Sequence, residues 1–247
     1  MRSFRGKRYW LIGASEGLGA ALAQSLSARG AQLVISARSQ DRLETVAQSL
    51  PRAAIVVPID VTNDASIDSA VAAAGDVDGV VFLAAQYWPM SATEWHHQKA
   101  VDMVEVNFVG CLRVLGKVVP RMISRDAGHI VLCGSLAGFR GLPGAIGYGA
   151  SKAALMSLAE TMHADLANTN VIVQLVNPGF IRTRLTEKNA FRMPFIMSPE
   201  AAAESVLQHM RGDSFQRSFP RVFSWVFRGS QLMPDWLYFR FFSSREN

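Results

Sequence analysis

Tyr148 and Lys152 stand four positions apart at the head of a segment with a helical repeat. Its apolar positions, Ala153, Ala154, Leu155, Leu158, Met162 and Leu166, recur at that spacing to about residue 167. On a helix this stacks a phenol and an ammonium on one face. A cation beside a phenol favours the phenolate and draws its pKa down from about 10 toward working pH. The pair is therefore a candidate general acid/base. Isolated pairs of this kind usually lie on the surface of an ordinary helix, so the chemistry depends on what else the chain delivers.

The preceding elements supply a frame. Residues 9–12 read as a buried strand, followed by Gly13-Ala14-Ser15-Glu16-Gly17-Leu18-Gly19 and a helix to about Arg29. Strand, glycine-rich turn and helix form the context of a dinucleotide-binding loop, in which backbone N–H groups approach a pyrophosphate at a helix N-terminus. A plain tight turn is the alternative at this point. A second strand, residues 32–36, ends at Ala37-Arg38, and Arg38 suits a ribose 2′-phosphate where an acid would suit a 2′-hydroxyl. Residues 41–49 read as a helix and 54–59 as a third strand, which leads to Asp60-Val61-Thr62. Asp60 could accept from an adenine amino group or cap a helix beginning near Ala65. A fourth strand, 79–83, ends in Ala84-Ala85. Residues 90–119 are mostly helical, interrupted at His96-His97, and neither histidine has a partner at metal-ligand spacing. No metal site is expected, and both histidines are read as surface residues. Asn107 sits in an apolar context, where a buried amide must be hydrogen-bonded. The fifth strand, 129–133, delivers Ser135 to the ligand-binding edge, and a sixth spans 171–176. Apolar strands alternating with helices imply a doubly wound parallel sheet, a three-layer α/β/α unit of Rossmann type.

Bulk properties narrow the classes. The chain has 247 residues, 49% of them hydrophobic, and a net charge of +5 spread along its length. No basic helix stands out as a nucleic-acid recognition element, so no nucleic-acid partner is expected. Cys111 and Cys133 lie in apolar segments and read as reduced core residues of a cytoplasmic protein. The basic start carries no signal-peptide core, and no uninterrupted apolar stretch is long enough to span a bilayer. The expectation is a soluble cytoplasmic protein, at most peripheral at a membrane.

Taken in order, Gly13/Gly17/Gly19, Asp60, Asn107, Ser135, Tyr148, Lys152 and Asn177-Pro178-Gly179-Phe180-Ile181-Arg182-Thr183 resemble the short-chain dehydrogenase/reductases over residues 8 to about 210. Ser135 precedes Tyr148 by thirteen residues, as that family's pattern asks. The resemblance implies a catalytic set of Asn107, Ser135, Tyr148 and Lys152. It implies a cofactor set of Gly13, Ser15, Gly17, Leu18, Gly19, Arg38, Asp60, Val61, Ala84, Ala85, Tyr148, Lys152, Pro178, Gly179, Ile181 and Thr183. Within it, Ile181 offers its backbone to the nicotinamide amide, Thr183 its hydroxyl to the phosphates, and Asn107 supports a water path to Lys152. Three positions depart from the pattern. Ile12 replaces the usual Thr, and Phe82-Leu83-Ala84-Ala85 replaces Asn-Asn-Ala-Gly, which puts local packing in question. Glu16 stands where NADP-preferring members often carry a base, and its carboxylate would repel a 2′-phosphate if it pointed there. Ala37-Arg38 favours NADP(H), with NAD(H) second.

Residues 184–199 lack periodicity, and the resemblance makes them a substrate lid whose apolar composition suggests an apolar carbonyl/alcohol substrate. Ser198-Pro199 starts a further helix, and 214–219 alternates like an edge strand. Residues 1–219 are expected to form the catalytic domain and 220–247 a helical extension, split into two short helices by Gly229 and Pro234. Ten of the 23 aromatic residues fall between Phe215 and Phe242, with four arginines and a single acid, Asp235. That mixture suits peripheral membrane contact, a subunit interface or packing over the substrate cleft. The resemblance implies a homodimer or homotetramer. The expected activity is NADP(H)-dependent interconversion of a carbonyl and an alcohol on an apolar small molecule, with lipid-like compounds among the candidates. The competing readings are a cofactor-binding or membrane-docking protein with vestigial catalysis, and epimerase or dehydratase chemistry on the same fold.

Overall fold

The strands are apolar along their whole length because helices cover both faces of the sheet. In β1 (Arg8–Ile12), Trp10 and Ile12 point to one side, and Tyr9 and Leu11 to the other. The computed structural model describes residues 1–189 and 191–242 of the chain. Ala190, inside the expected lid, and residues 243–247, the end of the expected extension, lie outside the described residues.

After β1 come α1 (Gly17–Ala28), β2 (Gln32–Ser36), α2 (Gln40–Ser49), β3 (Ala54–Val56), α3 (Asp64–Ala74) and β4 (Gly79–Phe82). The second half runs α4 (His97–Val104), α5 (Gly110–Ser124), β5 (Gly128–Cys133), α6 (Tyr148–Asp165), β6 (Val171–Pro178), α7 (Pro199–Arg211) and β7 (Gln216–Phe219). The tail holds α8 (Arg221–Ser230) and α9 (Asp235–Phe242). Seven strands pair in the order β3-β2-β1-β4-β5-β6-β7, all parallel, so the order reverses direction between β1 and β4. The expected doubly wound three-layer α/β/α architecture is the one observed. Ile67, Val114 and Leu155 from α3, α5 and α6 fill one face, and Leu22, Leu43 and Val206 from α1, α2 and α7 fill the other.

Several boundaries differ from the sequence reading for identifiable reasons. β3 stops at Val56 because Pro58 has no N–H to donate. The segment still runs beside β2, with Val57 and Ile59 donating to Ile35 O and Ala37 O. Asn63, not Asp60, caps α3, accepting from Ser66 N at 2.9 Å. Gly229 lies inside α8 and does not split the tail, whose break falls at Pro234, just before α9. Asn107 occupies a five-residue π-helical turn, Glu105–Val109, between α4 and α5. Such turns commonly mark functional positions.

At the N-terminal edge of the sheet, His129 is 3% exposed. Tyr9 Oη lies 2.8 Å from its Nδ1, and its Nε2 lies 2.8 Å from Gln174 Oε1. The Gln174 amide nitrogen faces three carbonyls, which turns its oxygen toward His129, so both imidazole nitrogens are partnered. Burial, aided by the Arg2 charge, pushes His129 from its ordinary 6.5 down to about 3. A folded-state pKa below the unfolded one means that stability is full above about pH 6.5 and is lost as pH falls toward 3. Urea unfolding should show stability falling by about 1.4 kcal/mol per pH unit below pH 6.5 from this group, a contribution absent in His129→Asn.

Candidate active site

Each loop that could touch a ligand leaves the C-terminal edge of a parallel strand, where open α/β sheets bind their ligands. The turn after β1 is compressed. A Cβ on Gly13 would lie 2.5 Å from Ala84 N, and one on Gly19 2.0 Å from Gly13 O. Ser15 and Leu18 line this turn, half-buried. Gly17 has φ +55°, and a Cβ there would meet the Thr183 side chain at 2.7 Å. The first loop and the loop after β6 therefore meet, bringing Thr183 against the start of α1. No side chain caps α1, which leaves its leading N–H groups open to an anion. These features fit a dinucleotide pyrophosphate. Glu16, placed by the sequence where it could oppose a phosphate, is held by Arg42 at 3.2 Å and Arg184 at 2.9 Å.

Arg38 is exposed at the end of β2 and makes no hydrogen bond or ion pair among the described residues. Its charge reaches Asp60, whose oxygen accepts from Thr62 N and Oγ1 at 2.9 and 2.7 Å. Burial raises the Asp60 pKa, but the Thr62 bonds and Arg38 outweigh it and hold the carboxyl below its ordinary value. Val61, Pro178 and Ile181 are buried, so they reach the edge through their backbones. Ala84 and Ala85 are half-buried beside the glycine turn, and Gly179 begins the loop after β6.

The Asn107 amide joins three of these parts. Its Oδ1 accepts from Gln86 N at 2.6 Å, and its Nδ2 donates to Gln86 O and Ser151 Oγ, each at 3.0 Å. Ser151 Oγ in turn donates to Tyr148 O at 2.8 Å. This clamp secures the segment after β4 that lacks the family's usual residues. No hydrogen bond joins Asn107 to Lys152 among the described residues.

Ser135 is buried at the exit of β5, its Oγ accepting from Ala137 N at 3.1 Å. The Tyr148 phenol lies against it at the head of α6. Lys152 is 2% exposed, and its Nζ donates to Cys133 O at 2.7 Å while standing 5.8 Å from the Tyr148 ring centre. The expectation that Lys152 draws the phenol pKa down is not met. Burial pushes Tyr148 well above its ordinary value, with Cys133 and Tyr87 adding to the rise and hydrogen bonding to Ser135 opposing it. Burial likewise lowers Lys152, against the pull of Cys133 and Cys111. Both groups are biased toward their neutral forms.

The sequence reading missed three contributors. The Tyr87 ring packs edge-on to Tyr148, with centres 4.9 Å apart, and its hydroxyl donates to Asn189 Oδ1 at 2.7 Å. Lys188 crosses the same mouth, donating to Tyr87 O at 2.8 Å with its Nζ 4.7 Å from the Trp88 ring centre. Tyr87 and Trp88 directly follow Ala84-Ala85-Gln86, which was the available signal. Arg140 anchors the tail, donating to Ser230 O and to Met233 O at 2.8 Å, pairing with Asp235 and stacking on Tyr238 at 4.0 Å. Its side chain carried no sequence signal.

His96 and His97 are exposed, and no cluster of metal-ligating residues occurs among the described residues. A cavity of about 440 Å³ opens at the opposite edge of the sheet, lined by Arg2, Lys7, Asp78, Arg125 and His129 among others. Its cations are already engaged, Lys7 with Asp78, Arg125 with Asp76 and Arg2 with Asp213.

The family model for short chain dehydrogenases matches residues 7–192. An uncharacterized oxidoreductase of Myxococcus xanthus (strain DK1622) is 35% identical over 236 residues, covering 92% of this chain and 93% of its own. A short chain dehydrogenase from Burkholderia cenocepacia J2315, solved in complex with NADP, matches with a TM-score of 0.87 at 25% identity. That match covers 99% of this chain and 100% of the other. A 3-ketoacyl-(acyl-carrier-protein) reductase from Brucella melitensis, complexed with NADH, shares the fold with a TM-score of 0.79 at 24% identity, covering 88% and 98%. The parallel sheet, the compressed glycine turn and a family match over three quarters of the chain agree: this protein belongs to the short-chain dehydrogenase family and is an oxidoreductase acting on CH–OH groups.

Proposed function

We propose that this oxidoreductase interconverts a carbonyl and an alcohol on an apolar small molecule, with NADP(H) as its cofactor. The observation that carries the reading is the meeting of buried Ser135 and Lys152 with half-buried Tyr148 at one corner of the C-terminal edge. Burial keeps the Tyr148 phenol protonated, so it is available as the acid for a carbonyl oxygen. Ser135 Oγ donates to the same oxygen and stabilises negative charge developing there. When the phenol releases its proton, the Lys152 ammonium stabilises the phenolate in a site of low dielectric, where a charge pair is worth more than in water. The bound nicotinamide supplies or accepts the hydride. Gly13, Ser15, Gly17, Leu18, Gly19 and Thr183 would hold its pyrophosphate. Arg38 would hold a 2′-phosphate, and Asp60 and Val61 the adenine. Ala84, Ala85, Pro178, Gly179 and Ile181 would border the nicotinamide half together with Tyr148 and Lys152. Asn107 is a positioning residue that acts through Gln86 and Ser151.

The preference for NADP(H) rests on Arg38 being unpaired beside Ala37, and on Glu16 being neutralised by two arginines. The apolar substrate class rests on Tyr87, which packs on Tyr148, on neighbouring Trp88, and on the lid rings Phe191 and Phe195. We read residues 1–219 as the catalytic unit and 220–247 as an extension of it that offers a peripheral membrane contact. We further propose a homodimer or homotetramer working in the cytoplasm. No described helix is long and apolar enough to cross a membrane.

A series of aldehydes and ketones of graded chain length, followed by absorbance of the reduced nicotinamide, tests the activity; no turnover with any of them overturns it. Tyr148→Phe should lower turnover by roughly a hundred- to ten-thousand-fold with cofactor binding nearly intact, whereas Lys152→Ala should lose both. Because the phenol is held protonated, kcat/KM for alcohol oxidation should climb with pH through the neutral-to-alkaline range, while carbonyl reduction stays nearly flat. Arg38→Asp should shift preference toward NAD by roughly tenfold or more, since a charge-assisted contact becomes a repulsion. Equal affinity of the wild type for both cofactors in a binding titration would sink the NADP assignment.

A further inference from the structure

The tail helix α8 is amphipathic in an unusual sense, because both of its sides are apolar. Ser224, Phe227 and Ser230 are buried, and Phe223 joins Phe227 in facing the body of the protein. On the opposite side Val222, Trp225 and Val226 form one stripe, and Trp225 is 70% exposed. Arg221 and Arg228 stand at the margin of that stripe, exposed. The only acid in the tail helices, Asp235, is already paired with Arg140. A face of exposed rings edged by cations, with no free acid, is the composition of a helix lying in a lipid interface.

The inner side of α8 joins the helix to the lid at the mouth of the proposed active site. Phe223 packs on Phe180, with ring centres 5.9 Å apart, and on lid residue Phe195, at 5.5 Å. Phe180, in the loop after β6, touches the second lid ring, Phe191, at 5.8 Å. Phe191 and Phe195 are themselves more than half exposed, and Arg182 and Arg192 beside them are exposed. Lid and α8 thus share one aromatic seam, and each carries exposed arginines, beside one exposed acid of the lid, Glu187.

We infer that α8 and the lid dock as a unit on an anionic lipid bilayer, setting the substrate mouth against the membrane surface. Charge complementarity chooses this occupant over a second copy of the chain. A two-fold contact centred on α8 sets the same patch against itself, so that two sets of arginines share one interface to which neither α8 contributes an acid. Anionic headgroups, in contrast, attract each such arginine, while Trp225 sits at headgroup depth. The inference rests on the proposed function only for its consequence, that an apolar substrate is drawn from the bilayer.

The test is vesicle flotation of the full-length protein, with phosphatidylcholine vesicles made with and without phosphatidylglycerol, at low and high salt. Wild type should float with the anionic vesicles and be released by salt. Arg221→Gln/Arg228→Gln should weaken partitioning roughly fivefold per arginine, and Trp225→Glu should abolish it. Both variants should keep wild-type mass in solution and wild-type turnover of a short, water-soluble aldehyde. Wild type that stays at the bottom with every vesicle, or floats equally well without the anionic lipid, overturns the inference. So does Trp225→Glu changing the mass in solution, which would make the face a subunit interface. Flotation by a protein that reduces no aldehyde leaves the docking in place and removes the catalytic reading instead.

Discussion

The Asn107 amide has three polar partners, and they belong to two different segments of the active edge. Gln86 N and O lie on the exit from β4, and Ser151 Oγ lies on α6, one turn past Tyr148. A side-chain amide buried without partners costs about 1–3 kcal/mol per lost bond, so this geometry is strongly favoured over looser alternatives. The π-helical turn at Glu105–Val109 is what aims Asn107 at both segments. The extra residue in the turn shifts its side chain relative to the α-helical positions on either side. Removing the clamp would free the β4 exit, which borders Gly13, and the head of α6, which carries the phenol. The proposed cofactor cradle and the proposed proton donor therefore share one support.

That support places Tyr148 and Lys152 where burial governs their charge. An exposed pair at this spacing would shift each partner toward its ionised form. Here Lys152 is buried and Tyr148 half-buried beside Ser135, Cys133 and Tyr87, and desolvation is the larger effect on both. Lys152 spends its hydrogen bond on Cys133 O, the last carbonyl of β5, so the ammonium is fixed to the sheet and not to the phenol. In the proposed reaction, negative charge would form on the phenol only as its proton passes to substrate. Stabilisation that appears only then favours the transition state over the resting enzyme.

What the sequence disclosed follows the range of the interactions involved. Parallel strands buried on both faces must be apolar throughout, so 9–12, 32–36, 79–83 and 129–133 could be read almost to the residue. The spacing of Tyr148 and Lys152 placed them on one helical face by geometry alone. Side-chain partners chosen by tertiary approach could not be read this way. Asp60 read equally as an adenine partner or as a cap for α3; Asn63 takes the cap, and Asp60 turns back to Thr62. Glu16 looked like an obstacle to a phosphate until α2 and the loop after β6 brought Arg42 and Arg184 to it. Lys152 was assigned to the phenol because both sit on α6, whereas its partner comes from β5, nineteen residues away.

The tail shows how far one long-range contact organises a segment with little core of its own. α8 and α9 present few buried side chains, and Tyr238 is the only buried residue of α9 among those described. Arg140 compensates by satisfying carbonyls at the end of α8 and in the turn before α9, while its guanidinium lies flat on the Tyr238 ring and pairs with Asp235. The Tyr238 hydroxyl closes the set by donating to Gly141 O at 2.6 Å. Arg140 and Gly141 belong to the segment between Ser135 and Tyr148, so the tail is tied to the stretch that carries the proposed chemistry. Phe223 makes the same connection from the other side through Phe180. The tail is thus fastened at two points to the loops of the active edge, by packed rings and by one guanidinium, with its outer face left apolar.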